Sequence, residues 1–274
     1  MRMNRWLLRA MTELSSRKFV SRLTGRLAKS AFSRRYIPRF VALYGIPAEE
    51  AEKKLEEYGS LNEFFTRRLK PGCRLVDETA QALVSPVDAL VTACGSIENG
   101  MLLKIKGQDY SLEELLNRSP RTTLYENGLY WVLYLSPKDY HRIHSPCEGT
   151  IAESEHIPGR VYPVNDFGLT SMRRVLSRNE RLVTYIRHEF GEVAVVKVGA
   201  LNVSSIRYVT PRPTNVDRGQ ELAYFEFGST VVLLAENQTC RARSGLKAGD
   251  RVKMGELLGV LDGNRKAREL SDEK

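Results

Sequence analysis

The sequence has few cysteines, no long apolar run and, outside one end, no excess of charge. Cys73, Cys94, Cys147 and Cys240 lie far apart, without the paired spacing that binds zinc. No secretory leader is expected, because Arg9, Glu13, Arg17 and Lys18 break up the apolar centre that one requires. The cysteines therefore read as reduced thiols facing the cytosol. The apolar runs are a handful of residues each, far short of the roughly 20 that a membrane-crossing helix needs, so no spanning segment is expected. The net charge of +9 suggests a nucleic-acid partner at first sight. Its distribution argues against one. The first forty residues hold eleven Lys or Arg and one acid, Glu13, which leaves 31 basic against 32 acidic groups elsewhere. The body is close to neutral, and the basic arm carries no nucleic-acid recognition motif.

In that arm Leu7, Met11 and Leu14, then Val20, Leu23 and Leu27, recur at three- and four-residue intervals with cations between them. This spacing builds a basic amphipathic helix, interrupted at Gly25 and Pro38, of the kind that lies in the surface of an anionic bilayer. At about 1 kcal/mol per cation near the surface, docking would be reversible and salt-sensitive. A helix packed on its own domain with a solvated basic face has the same pattern. Residues Ala48 to Tyr58 and Leu61 to Leu69 read as further helices, the second capped by Ser60 with Glu63 three places on. Pro71 and Gly72 end the helical part. Short β-rich runs follow, from Leu83-Val84 through Ala89–Cys94, Leu102–Ile105, Tyr130–Leu135, Gly149–Glu153, Val183–Ile186 and Val193–Val198 to Leu222–Phe227, with one helical exception at Ser111–Leu116. Helices first and strands afterwards predict an α+β fold: N-terminal helices, then a mainly antiparallel β core. The glycine-punctuated tail around Leu246 to Gly259 is similar to half of a lipoyl- or biotinyl-carrier sandwich, so the C-terminal part is expected to be barrel-sandwich-like. Two regions follow, a basic helical membrane-associating region over 1–70 and a β-rich catalytic domain over 71–274.

Chemistry concentrates on Phe227-Gly228-Ser229-Thr230, at the mouth of the apolar run Val231 to Ala235. A glycine before two hydroxyl residues puts a nucleophile beside an unshielded peptide carbonyl. A turn opening a strand has the same sequence. What raises the functional reading is Asp88 in Ser85-Pro86-Val87-Asp88 and the pair His141 and His144 in the stretch Ser136 to Pro146: a hydroxyl, a base and an acid able to orient the base. His-x-x-His is also half of a zinc site, although no acid or cysteine at useful spacing completes it. His156 and His188 have no chemical context and read as surface or packing residues.

These stretches, with Asn62-Glu63-Phe64-Phe65, Lys106-Gly107-Gln108-Asp109-Tyr110-Ser111-Leu112, Ile157-Pro158-Gly159, Arg178-Asn179-Glu180-Arg181 and Val198-Gly199-Ala200, resemble the phosphatidylserine decarboxylases from about Leu61 onward. Phe227, where many members carry leucine, and a short Arg207–Gln220 segment are departures that remove no reacting group. The resemblance implies a proenzyme that cuts itself between Gly228 and Ser229 into 1–228 and 229–274, turning Ser229 into a covalent pyruvoyl group, the pyruvate cofactor. It implies His144 as the base for that step with Asp88 orienting it, and His141 as the proton donor after decarboxylation. Thr230 is a weaker candidate for the oxyanion. A Schiff base between the pyruvoyl ketone and the amine of phosphatidylserine would then draw electrons as carboxylate leaves, giving phosphatidylethanolamine without a diffusible cofactor or metal. The implied partners are phosphatidylserine in an anionic membrane and the protein's own two fragments, a higher homo-oligomer being left open. The implied location is peripheral, on the cytoplasmic side of the cell membrane. The competing function is a non-catalytic carrier or membrane-docking module, which would need an acceptor lysine at a hairpin tip, whereas Lys253 reads as lying in a strand.

Overall fold

The computed structural model describes residues 25–105, 107–164, 166–200, 206–210, 214–226 and 229–263, with the side chains of 101–104, 166–167 and 229 left aside. Most of the predicted basic amphipathic arm, residues 1–24, and the two residues before Ser229 lie outside that description. Helical turns at 25–29 and a 3-10 turn lead into α1 (Ile37–Tyr44). Pro38 sits in the first turn of α1, where its missing N–H costs nothing, so it begins a helix instead of breaking one. Gly45 closes α1 in the left-handed conformation, φ 62°.

The helix expected over Ala48–Tyr58 is not formed. Two 3-10 turns, Ala48–Glu50 and Leu55–Glu57, flank a β-bridge between Ala51 and Leu69. The amide of Glu52 donates to Arg68 O and that of Lys70 to Glu50 O, so cross-chain bonds replace helical ones. The next helix, α2 (Leu61–Phe65), starts as predicted, with Ser60 Oγ accepting from Glu63 N at 3.1 Å. It stops early because residues 68–70 are committed to that pairing. Ile37, Ile46, Ala51, Tyr58 and Phe64 form a small apolar core for this helical part.

The remainder is built from antiparallel strands, as the sequence led one to expect. They are β1 (Ala82–Val84), β2 (Ala89–Glu98), β3 (Met101–Ile105), β4 (Gln108–Ser111), β5 (Leu129–Leu135), β6 (Arg142–His144), β7 (Gly149–Ile157), β8 (Arg181–His188), β9 (Gly191–Gly199), β10 (Ile206–Tyr208), β11 (Asn215–Val216), β12 (Glu221–Phe225), β13 (Ser229–Ala235), β14 (Cys240–Ala242), β15 (Arg251–Val252) and β16 (Leu257–Leu261). One large sheet runs in the order β11-β7-β8-β9-β13-β5-β2-β3-β4, with β15 added on β2; two three-stranded sheets, β10-β12-β6 and β1-β16-β14, complete the set. Short helices α3 (Leu112–Leu115), α4 (Thr122–Tyr125), α5 (Asp166–Ser171) and α6 (Val175–Arg178) interrupt the strand order.

Alternation along β13 assigns its residues to two cores. Val232 and Leu234 join Leu112, Leu115, Tyr125, Val175 and Leu176 beneath the short helices. Val231, Leu233 and Ala235 join Ile143, Leu222, Ala223 and Phe225 of the β6–β12 sheet, with Leu258 and Leu261 of β16. All five residues from Val231 to Ala235 are fully buried, which explains a continuous apolar run where a half-exposed strand would alternate.

Lys253 does not lie in a strand. It is exposed and opens the turn that joins β15 to β16. Those two strands pair with different partners, β15 with β2 and β16 with β1 and β14, so the turn is not a hairpin tip. Gly255 in this turn has φ 91°, and a Cβ there would fall 2.3 Å from Leu75 O. The turn is therefore packed against residues 75–88 and not held out to solvent.

Candidate active site

The apolar strand β13 begins at Ser229, in register with Leu135, the last residue of β5, and with Gly199, the last of β9. The end of the sheet that Ser229 heads is thus the end from which the histidine loop leaves, since residues 136–141 follow β5 directly. That loop is tied down. Asp139 Oδ2 accepts from both the amide and the hydroxyl of Ser136 at 2.7 Å, and its Oδ1 accepts from Arg251 at 3.0 Å. Beyond it, β6 pairs with β12, and Phe225 N donates to His141 O at 3.0 Å. His141 is therefore bonded through its backbone to the strand that leads toward Gly228.

His141 is fully buried, its ring 3.9 Å from that of Phe65 at the end of α2. Its Nδ1 lies 2.8 Å from Asp139 O. A carbonyl only accepts, so Nδ1 carries the proton and Nε2 presents a lone pair, which has no partner among the described residues. Burial pulls its pKa down to about 3, so the ring is neutral at physiological pH. His144 is 9% exposed. Its Nδ1 is 2.7 Å from Gly219 O, which fixes the same tautomer, and Tyr140 OH donates to Nε2 at 3.0 Å. Burial lowers its pKa too, against the raising influence of Gly219 O, Glu221 and Asp88. Both imidazoles are thus free bases with Nε2 as the basic atom.

Asp88 follows Pro86 in the connection from β1 to β2, and it is buried. Arg74 Nε donates to its two oxygens at 2.8 and 3.0 Å, Arg74 Nη2 adds a further contact, and Met254 N donates to Oδ1 at 2.9 Å. Glu50 takes the same Nη2 at 2.9 Å. Asp88 makes no hydrogen bond to His144. The expectation that it orients the imidazole is met instead by the Gly219 carbonyl, and the carboxylate acts on His144 through its charge alone. Thr230 is buried with its hydroxyl unpartnered, and alternation puts it with Val232, on the face of the sheet away from β6 and β12.

Sequence reasoning missed Arg74, Gly219 and Met254. Arg74 lies just beyond the Pro71-Gly72 break, and nothing in its local pattern marks a partner fourteen residues on. His156 is exposed and pairs with Glu180 at 2.9 Å, as a surface residue would. His141 and His144 direct their Nδ1 atoms to different carbonyls, and among the described residues no group of three or more His, Cys, Asp or Glu is placed to hold a metal ion.

Two neutral imidazoles held in one tautomer are equipment for proton transfer, and similarity places the protein with the enzymes that remove carboxyl groups. The family model described as phosphatidylserine decarboxylase matches residues 61–260. The chain is 42% identical over 258 residues to the phosphatidylserine decarboxylase proenzyme of Bacillus mycoides, covering 94% of this chain and 98% of that one. It is 40% identical over 259 residues to the proenzyme of the same name from a Geobacillus species, covering 94% of this chain and 100% of that one. The chain belongs to the phosphatidylserine decarboxylase family.

Proposed function

We propose that the chain is a proenzyme that cuts itself between Gly228 and Ser229 and then decarboxylates phosphatidylserine to phosphatidylethanolamine. The observation that carries this reading is the position of Ser229 between two sheets. Upstream, β12 belongs to β10-β12-β6; downstream, β13 belongs to the large sheet. A break at this crossing leaves every strand on either side paired, and 229–263 stays bound to the upstream piece through β13 on β5 and β9, β15 on β2 and β16 on β1.

In the proposed cut, the Ser229 hydroxyl attacks the Gly228 carbonyl, the peptide becomes an ester, and β-elimination releases the upstream piece. Hydrolysis of the remaining dehydroalanine gives ammonia and the pyruvoyl cap. The neutral Nε2 of His144 is the base, reached through or alongside the Tyr140 hydroxyl that it binds. Asp88, clamped by Arg74, adds negative charge that steadies the imidazolium as it forms. The pyruvoyl carbonyl supplies the electron sink for the departing carboxyl group. At neutral pH His141 has no proton on Nε2 to give. It takes the one that the substrate's ammonium loses on becoming a nucleophile, and it returns that proton to the α-carbon once carbon dioxide has left. The Phe65 ring keeps water from this exchange.

The membrane is proposed to be met by the helical end. Leu27, Phe32, Tyr36, Leu43 and Tyr44 are exposed there, at 40 to 75%, with Arg34, Arg35 and Arg39 exposed among them. No helix of the described residues is long and apolar enough to cross a bilayer, and peripheral docking on an anionic cytoplasmic face needs none. The test is intact mass after purification. Wild type should give two masses, the smaller beginning at a pyruvoyl-capped residue 229, and Ser229→Ala should give one. An uncut wild-type chain that releases no carbon dioxide from phosphatidylserine would sink the reading.

A further inference from the structure

Seven residues before Arg74 stands a second buried arginine with none of its partners. Arg67 is 3% exposed and comes just after α2, its guanidinium carbon 5.0 Å from the Phe64 ring centre. Nη2 donates to Lys138 O at 3.2 Å. Nε and Nη1 are buried and have no partner among the described residues. The acids whose charge reaches Arg67, Asp88 and Glu50, are both engaged by Arg74, and Arg67 makes no ion pair among the described residues. One further buried polar atom nearby is also unpartnered among the described residues: Nε2 of His141, whose proton affinity the charge of Arg67 lowers.

Such an arrangement opposes folding, because a desolvated cation with unmade hydrogen bonds is among the most unfavourable things a core can hold. Burial lowers the pKa of Arg67, yet a guanidinium keeps its charge at neutral pH. The position is equally telling. Lys138, which holds Nη2, lies three residues beyond Leu135, the register partner of Ser229. The next residue, Asp139, gives the carbonyl that orients His141. Arg67 therefore borders the segment on which the chemistry is proposed to occur.

We propose that Arg67 receives an oxyanion of the substrate's headgroup, donating to it from the free N–H groups at Nε and Nη1. This assignment rests on the decarboxylase reading above. A phosphatidylserine headgroup carries two oxyanions, the carboxylate and the phosphodiester, and either satisfies the same donors. They differ kinetically. A phosphodiester keeps its charge throughout, so its contact binds ground state and transition state alike. A carboxylate loses its charge as the bond breaks, so its contact favours the ground state.

The test uses the mature two-chain enzyme and its Arg67→Met and Arg67→Lys variants, with phosphatidylserine in mixed micelles as substrate. Glycerophosphoserine and glycerophosphoethanolamine serve as soluble competitors. Arg67→Met should raise KM roughly 100-fold, the loss of one or two charge-assisted bonds, and weaken inhibition by glycerophosphoserine to match. Arg67→Lys, which keeps the charge, should raise KM roughly tenfold. Weakened inhibition by both competitors with kcat unchanged identifies the phosphodiester. Weakened inhibition by glycerophosphoserine alone, with kcat raised, identifies the carboxylate. Unchanged KM and inhibition in cleaved, folded Arg67→Met overturn the proposal. Should that variant fail to accumulate, an unchanged KM in Arg67→Lys overturns it. A wild-type chain that neither cuts itself nor releases carbon dioxide defeats the functional reading instead. In that event, loss of calorimetric binding of glycerophosphoserine on going from wild type to Arg67→Met still supports the anion site, and equal binding by both rejects it.

Discussion

The side chains of Arg74 and Arg67 are both largely covered, and both feel the charge of Asp88, but the corners they occupy are opposites. Around Arg74 every group is matched: Asp88, Glu50 and the carbonyl of Cys73 accept from it, and Met254 N completes Asp88. Around Arg67 and Nε2 of His141, donors and a lone pair go begging among the described residues. A folded chain tolerates unmatched buried polar groups only where something outside the fold offsets them. The first corner is built to hold a carboxylate still; the second is built to meet a molecule.

The contrast breaks most readily under Arg74→Met, which strands the Asp88 carboxylate in the interior and should cost about 3–5 kcal/mol by urea denaturation. Arg67→Met, by removing a charge that the fold never paired, should leave the urea midpoint at or above that of wild type. Equal losses in the two variants would dissolve the distinction. A smaller effect comes from pH. With its folded pKa near 3 against 6.5 unfolded, His141 binds a proton in the unfolded chain first, so its contribution is complete above pH 6.5 and drains away as pH falls toward 3. At pH 5 the loss from this one ring is about 2 kcal/mol. Urea midpoints at pH 7.5 and 5 should show that drop, and His141→Gln should reduce it; equal pH slopes would show that the ring is not buried neutral. The smallest effect is expected at Arg68, half exposed and 3.2 Å from Glu221. Glu221 keeps Arg142 as a partner, so Arg68→Ala should cost about 0.2–1 kcal/mol, and a larger loss would extend the tightly matched corner to the protein surface.

What could be read from sequence were the features carried by local pattern or by side-chain chemistry. The Ser60 cap, the order of helices before strands and the buried run Val231–Ala235 all belong to that kind. What could not be read depends on partners remote in the chain. The Ala51–Leu69 bridge overrode an acceptable helical pattern in 48–58. A backbone carbonyl, Gly219, holds the His144 tautomer in place of the expected carboxylate, and backbone groups leave no mark in residue identity. Lys253 seemed to belong to a strand because its neighbours are apolar at alternate positions, but the amides of Met254 and Gly255 are spent on Asp88 and Ser85, and the Gly255 carbonyl accepts from Asp77 N.

In the large sheet β9 and β5 do not pair; β13 joins the half made of β11, β7, β8 and β9 to the half made of β5, β2, β3 and β4. Ribosomes make that connecting piece late. Until residue 235 emerges, the nascent protein carries two incomplete sheets with bare, sticky margins, the condition in which chaperones bind and aggregates start. Messages truncated before codon 229 should therefore yield insoluble product and not a smaller domain, and the proposed self-scission would have to wait for β13 to slot home.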